Sequence, residues 1–344
     1  MRHVINRLLT SLAMRPVLMD LGAQDSYPED WAGIAPQSIY VGIGPEAKLL
    51  SMQGPTSFHQ TYLLDKVVTD AEGIDQVPVY LTNDPIYSTL LEPKKADSTG
   101  HLDWAALLNA QKTIPSTTVN AVVNELGLTK IDWLRTNING LDLRVYQSIE
   151  HRLRSRILAL DTVFDLIDLW VDHGSSFVAC QRVLDEGFWL SGLVPHGFVR
   201  MQPESLRRIN KFRNPLDQRA LAHCHRKTPG WVFARFFRTI DSLSTGGFSP
   251  RDHVLLWAFA LADGQAGFAA DVTFEYARAF GEDQTFRTML DETLNCLTRL
   301  GRPTPLLDRA KTWLPKVIRR GLRQLLPVKT TDRILEKADC PKNV

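Results

Sequence analysis

The sequence predicts an α/β protein: a mostly parallel central sheet with helices on both faces, followed by a mainly helical C-terminal region. Three observations carry this. Short apolar runs of strand length recur between residues 17 and 194. Stretches of helical spacing and glycine breaks separate them, and such alternation implies βαβ units, a parallel sheet and right-handed crossovers. Beyond about residue 205 charges cluster and the segments read as helices, so the chain divides into residues 1–205 and 206–344.

The first strand is Val17-Leu-Met-Asp-Leu-Gly-Ala-Gln-Asp-Ser26, apolar up to Asp20 and broken at Gly22. Asp20 closes its carboxyl end, and Gly22 lets a ligand approach the backbone where a Cβ would obstruct it. Pro28 then favours a helix start, with Trp31 as an anchor. Ser38-Ile-Tyr-Val-Gly-Ile-Gly-Pro45 is a second strand ended by Gly44-Pro45. Residues 63–69 and 77–82 read as two more, with Asp70-Ala-Glu-Gly73 as the turn between them. Residues 83–90 suit either a loop over a site or a surface connection.

Val119, Val122, Val123 and Leu126 have helical spacing, so residues 113–126 predict a helix with Gly127 as C-cap. A strand over 131–137 follows, then a break at Ile138-Asn-Gly140 and a helix over 142–150. Residues 157–164 predict a buried strand carrying Asp161, 177–187 a helix capped by Gly187, and 188–194 a closing strand. In the last region Thr228-Pro-Gly-Trp231 predicts a helix start. Ser249-Pro250 predicts another, with a capping residue followed by Pro at the first helical position. Residues 268–280 predict a third. Ligands of such sheets sit at the carboxyl ends of the strands, so the turns after Asp20, Ile43, Asn137 and Phe164 are candidates to share one crevice.

Composition narrows the function classes. Forty basic residues against 38 acidic argue against a general nucleic-acid binder, whose affinity rests on neutralising phosphates. Cys180, Cys224, Cys296 and Cys340 are scattered and form no CxxC, which points away from a zinc site or disulfide framework and towards a reducing cytoplasm. No signal peptide is read at the N-terminus, and no apolar run of about 18 residues predicts a membrane span. The basic amphipathic stretch 311–326 suits either peripheral contact with an anionic membrane or partner, or packing on its own domain.

The succession of these segments resembles the FkbM family of S-adenosylmethionine-dependent methyltransferases over residues 16–200. VLMDLGAQDSYPEDW is similar to the family's first strand and cofactor loop, and SIYVGIGPEAK to its second strand. VVTDAEGIDQVPVYLTNDPIYSTLLEPK is similar to its turn, strand and serine loop. LGLTKIDWLRTNINGLDLRVYQSI is similar to its "iDxlKxDxqGxExxvLkG" signature, ILALDTVFDLI to its later strand, and GFWLSGL to its closing strand. The resemblance implies a Rossmann-like methyltransferase fold, S-adenosyl-L-methionine as cofactor, and methyl transfer to a hydroxyl of a saccharide or other small-molecule acceptor. It places Asp20, Gly22 and Ala23 along the cofactor's methionine and ribose, and Asp70 near the adenine. Arg135, Asn137, Asn139, Gly140 and Asp142 border the acceptor, with Tyr87 and Ser88 on the acceptor loop, and Asp161 is the carboxylate placed as base or metal ligand.

The departures fall on functional positions. The loop's second glycine is Ser26. The acidic residue that would end the second strand and accept two ribose hydroxyls is Gly44, with Glu46 two positions on. Loss of such charge-assisted bonds weakens binding by ~1.5–3 kcal/mol. In the signature Lys, Asp and Gln/Glu become Arg135, Asn137 and Asn139, and Asn is no general base. Two readings follow: a methyltransferase, or a catalytically silent methyltransferase-like domain working as a binding or assembly module. A dehydrogenase is disfavoured because no GxGxxG follows any strand. His173 suits a crevice-facing or a solvated loop. His223 and His225 flank Cys224 but lack a fourth metal ligand. Arg152, Arg154 and Arg156 suit a phosphate clamp or a solvated edge.

Overall fold

The computed structural model describes residues 2–23, 26–45, 47–52, 58–82, 88–94, 108–171, 176–212 and 227–300. Residues Met1–Thr293 make one compact unit; of the second, Leu294–Val344, residues 294–300 are described, as the end of a helix. The strands are β1 (Val17–Leu21), β2 (Ile39–Ile43), β3 (Gln60–Leu64), β4 (Val67–Val68), β5 (Gln76–Thr82), β6 (Leu108–Thr117), β7 (Trp133–Thr136), β8 (Ala159–Asp165), β9 (Phe188–Phe198) and β10 (Thr228–Arg238). The α-helices are α1 (Arg2–Ser11), α2 (Val119–Glu125), α3 (Asp142–Ser148), α4 (His151–Arg154), α5 (Ser176–Asp185), α6 (Pro203–Ile209), α7 (Ile240–Thr245), α8 (Pro250–Ala262), α9 (Ala266–Phe280) and α10 (Gln284–Leu300).

Seven strands form the main sheet in the order β3-β2-β1-β7-β8-β10-β9. Neighbours from β3 to β8 are parallel, and β10 runs antiparallel to both β8 and β9. The order reverses between β1 and β7, and a crevice at the strands' carboxyl ends is expected there. A smaller sheet, β4-β6-β5, is built on the antiparallel β5–β6 pair.

The strands over 17–21, 39–43 and 133–136 lie where their apolar runs place them, because a strand covered on both faces has no polar side to show. Three expectations are corrected. Residues 228–231 open β10, not a helix, so the sheet continues past residue 205. In β10 Trp231, Phe233, Arg235 and Phe237 alternate with Val232, Ala234 and Phe236, a period of two that fills both faces, and Pro229 sits at an irregularity in the ladder with β9. Residues 113–117 pair with β5 as the end of β6, and the helix begins only after Thr118, whose side chain accepts from Ala121 N at 3.2 Å. Residues 63–69 divide between β3 and β4, with Asp65 and Lys66 between them.

The sheet's two faces carry different layers. On one, Met19, Leu21, Val41, Ile43, Leu134, Leu160 and Phe164 bury against Val122 and Val123 of α2, Val145 of α3 and Val183 of α5. On the other, Trp133 meets Trp31, Phe237 and Phe259 of α8, with ring centres 4.9–5.9 Å apart. Burying each such side chain contributes roughly 1.5–3 kcal/mol. The α8 helix starts at the Ser249 cap, where Ser249 and Asp252 form a reciprocal capping box. Arg251 in its first turn anchors it by donating to both oxygens of buried Asp132 at 2.7 Å. Among the described residues no helix is long and apolar enough to cross a membrane.

Candidate functional site

Four of the residues singled out by sequence or by pairing lie in one row of the sheet. Asp20 on β1 is opposite Arg135 on β7, Arg135 opposite Asp161 on β8, and Asp161 opposite Arg235 on β10. Charge alternates along the row. Arg235 dominates it: its guanidinium donates to both oxygens of Asp161 at 2.7 and 2.8 Å, to Asp263 at 2.7 Å and to Asp30 at 2.7 Å, and lies 5.0 Å from the Trp133 ring centre. Burial would lower its pKa, but the three carboxylates override burial and hold it above the ordinary value. Asp161 is therefore an ion-pair partner, and a metal or an acceptor proton would have to compete with a bidentate guanidinium for it.

Asp20 is 1% exposed. Its Oδ2 accepts from Tyr40 Oη at 3.0 Å and from Arg135 Nη1 at 3.5 Å, and its Oδ1 has no hydrogen-bond partner among the described residues. Burial pushes its pKa up against the pull of Arg135. Gly22 takes φ +85°, and a Cβ there would stand 2.1 Å from Asn137 O, so the turn needs glycine to pack β1 against the end of β7. A Cβ at Gly44 would stand 2.1 Å from Ala23 O. This backbone therefore has no room for a side chain where the ribose carboxylate would be. The backbone N–H groups of Gly22 and Ala23 both donate to Ile43 O. Asp70 pairs with Arg144 of α3 at 2.7 Å. Glu46 lies outside the described residues. The described residues at the ends of β1 and β2 thus do not fit the ribose of S-adenosylmethionine: one carboxylate is sequestered, the other replaced where none can be added. The replacement Gly44→Ala is expected to cost about 1–3 kcal/mol through the forced shift of the Ala23 loop, read as a lower urea midpoint; an unchanged midpoint would mean that the loop yields freely.

The open space lies further along the sheet. A cavity of about 520 Å³ sits at the carboxyl ends of β7 and β8 and beside the paired ends of β9 and β10, within the range of small-ligand pockets. Asn137 and Asn139 of the signature line it, so the structure brings these two to one place with Asp165, Trp170, His196, Lys227 and Trp231. Asp142 stands behind. Buried, it accepts from Ile138 N at 3.1 Å and Gly140 N at 3.3 Å, holding the 137–140 turn, while Asn139 takes the left-handed φ of +48° and donates to Ser88 O at 2.8 Å. Desolvation pushes the Asp142 carboxyl to about 6, with those backbone bonds opposing. Asp142 is a positioning residue.

Asp165 is the carboxyl group that faces the cavity. It is the last residue of β8, four beyond Asp161 on the same side of the strand, with the Val163–Phe233 pair between the two rungs. It accepts from Trp170 Nε1 at 2.7 Å. Burial pushes it to about 7, the Trp170 bond opposing and the nearby Asp142 charge adding. Across from it, the His196 ring stacks on Trp231 at 5.7 Å and 13°. Burial lowers the His196 pKa, and Lys227 lowers it further. Sequence reading missed Asp165 by ending the strand at Phe164; continuing the alternation from Asp161 through Val163 would have reached it. His196 was missed because the closing strand was ended at Val194, and Lys227 and Trp231 because residues 228–231 were read as a helix start. Tyr87, His173, His223 and His225 lie outside the described residues, as does the stretch 311–326. Arg152, Arg154 and Arg156 serve local contacts: Arg152 pairs with Glu150, Arg154 with Glu186, and Arg156 donates to Gly246 and Gly247 carbonyls. No family model, curated protein or solved structure matches the chain.

Proposed function

We propose that the chain is a methyltransferase-like α/β domain that works as a binding module for a hydroxyl-bearing small molecule or glycan, without methyl transfer. The fold half of the reading is supported by strand order. Counting only the main sheet's strands along the chain, the order is 3-2-1-4-5-7-6, the Rossmann order with one antiparallel strand inserted before the last.

One observation carries the binding half. The crevice is open at β7–β10, where an acceptor would lie, while at β1 and β2 the groups that would hold the cofactor's ribose are sequestered or replaced. Carboxamides and a carboxyl group offer donors and acceptors to hydroxyls, and Trp170, Trp231 and Phe233 offer flat apolar walls to the C–H face of a ring. Titration calorimetry of the full chain with S-adenosylmethionine to millimolar concentration tests this: no heat of binding is expected. Binding that Asp20→Ala abolishes would overturn it.

A second reading, methyl transfer of FkbM type, is favoured by Asp165 alone. A carboxyl group titrating near neutrality beside the acceptor space suits removal of a hydroxyl proton. A labelled-methyl assay over a panel of saccharides separates the two readings.

A further inference from the structure

We infer that the ligand of the β7–β10 cavity is a hydroxylated ring bearing a carboxylate, an acidic sugar, with its carboxylate held at Lys227 and His196. The inference rests on the binding-module reading and adds the ligand's charge and its orientation. Lys227 and His196 lie on the β9–β10 side of the cavity, Asn137 and Asp165 on the β7–β8 side. The two sides offer different chemistry. Lys227 presents three N–H donors and a full charge, and a neutral His196 presents one ring N–H donor, a set suited to an oxyanion. Asn137 supplies both a donor and an acceptor, and Asp165, near its midpoint at neutral pH, supplies either, a set suited to hydroxyls.

The electrostatics agree. Among the described lining residues Lys227 is the one lysine or arginine, and the one carboxyl group present, Asp165, is pushed up to about 7 by burial. Asp161, on the same side of β8, is paired with Arg235 one apolar rung below. A ligand anion therefore meets attraction at one side and little repulsion at the other. A ring between the two sides would lie along the wall made by Trp231 and the parallel His196.

The test is titration calorimetry of the full chain at pH 7 and low salt with D-glucuronate, D-galacturonate and N-acetylneuraminate, each against its neutral counterpart (D-glucose, D-galactose, N-acetylneuraminic acid methyl ester). At least one acidic sugar is expected to bind ten times or more tighter than its neutral partner. The exposed-site variant Lys227→Gln should remove that preference and Lys227→Arg keep it, and added salt should weaken the acidic ligand alone. Equal affinity for acidic and neutral sugars, or a preference that survives Lys227→Gln, overturns the inference and leaves the binding-module reading standing. Absence of binding by every sugar of the panel overturns both.

Discussion

Replacing Arg235 with Met is expected to lower the stability of the fold by about 3–5 kcal/mol, the range for removing one partner of a buried ion pair. Three features put it among the largest single effects in the protein. The guanidinium is 17% exposed and donates to three carboxylates, two of them, Asp161 and Asp263, at least as buried as itself. Those partners come from three different places: β8, the end of α8, and the short helical segment Glu29–Gly33 that holds Asp30. Its flat face also packs on fully buried Trp133, so the change removes apolar contact as well as charge. Methionine fills part of the volume but leaves Asp161 and Asp263 desolvated and unpaired. The double variant Arg235→Met with Asp161→Asn should recover part of the loss, because one stranded charge is then gone. Urea unfolding of the three proteins measures both effects. A loss below about 1 kcal/mol, the scale of a surface ion pair, would mean that solvent reaches the row.

Replacing Asp165 with Asn is expected to remove most of a pH dependence that the native protein carries. The carboxyl group titrates near 7 in the fold against an ordinary 3.8. A folded pKa raised in this way means that the native state binds more protons than the unfolded chain between about pH 4 and 7. Stability from this group is therefore fully present below about pH 4 and lost as pH rises through 7. At about 1.4 kcal/mol per pH unit over roughly three units, the loss reaches an upper bound of about 4 kcal/mol by pH 8. Asn keeps an oxygen to accept from Trp170 Nε1 and has no proton to lose. Its advantage over the native protein should thus be large at pH 8 and shrink towards pH 5. Asp142, pushed to about 6 by its own burial, remains in the variant and leaves a smaller slope of the same sign. Thermal unfolding from pH 5 to 8 gives the comparison, and parallel curves for the two proteins would show that Asp165 ionises freely.

The same two residues separate what was legible in the sequence from what was not. The strands over 17–21, 39–43, 133–136 and 159–165 could be read because burial on both faces demands runs of apolar side chains, and Gly22 and the Ser249-Pro250 start follow from local backbone and capping rules. Asn137 and Asn139 could be placed in one turn after a strand from the sequence, and both line the cavity. Asp161 and Asp165 could not be told apart in that way. They are four residues apart on one strand and point to one side. What distinguishes them is Arg235, 74 residues after Asp161, which pairs with the first, and the cavity, which receives the second.

By itself, then, the sequence determined most of the strands and helices up to residue 194 with their turns and caps, though not the strands at 113–117 and 228–238, since propensity, periodicity and chain stiffness act over a few neighbouring residues. The tertiary structure alone decided that residues 228–238 complete the sheet between β8 and β9, that Asp20, Arg135, Asp161 and Arg235 fall in one row, and that Asp165 rather than Asp161 meets the cavity. Strand register, desolvation and ion pairing depend on groups brought together from distant parts of the chain, and no local pattern encodes which partner arrives.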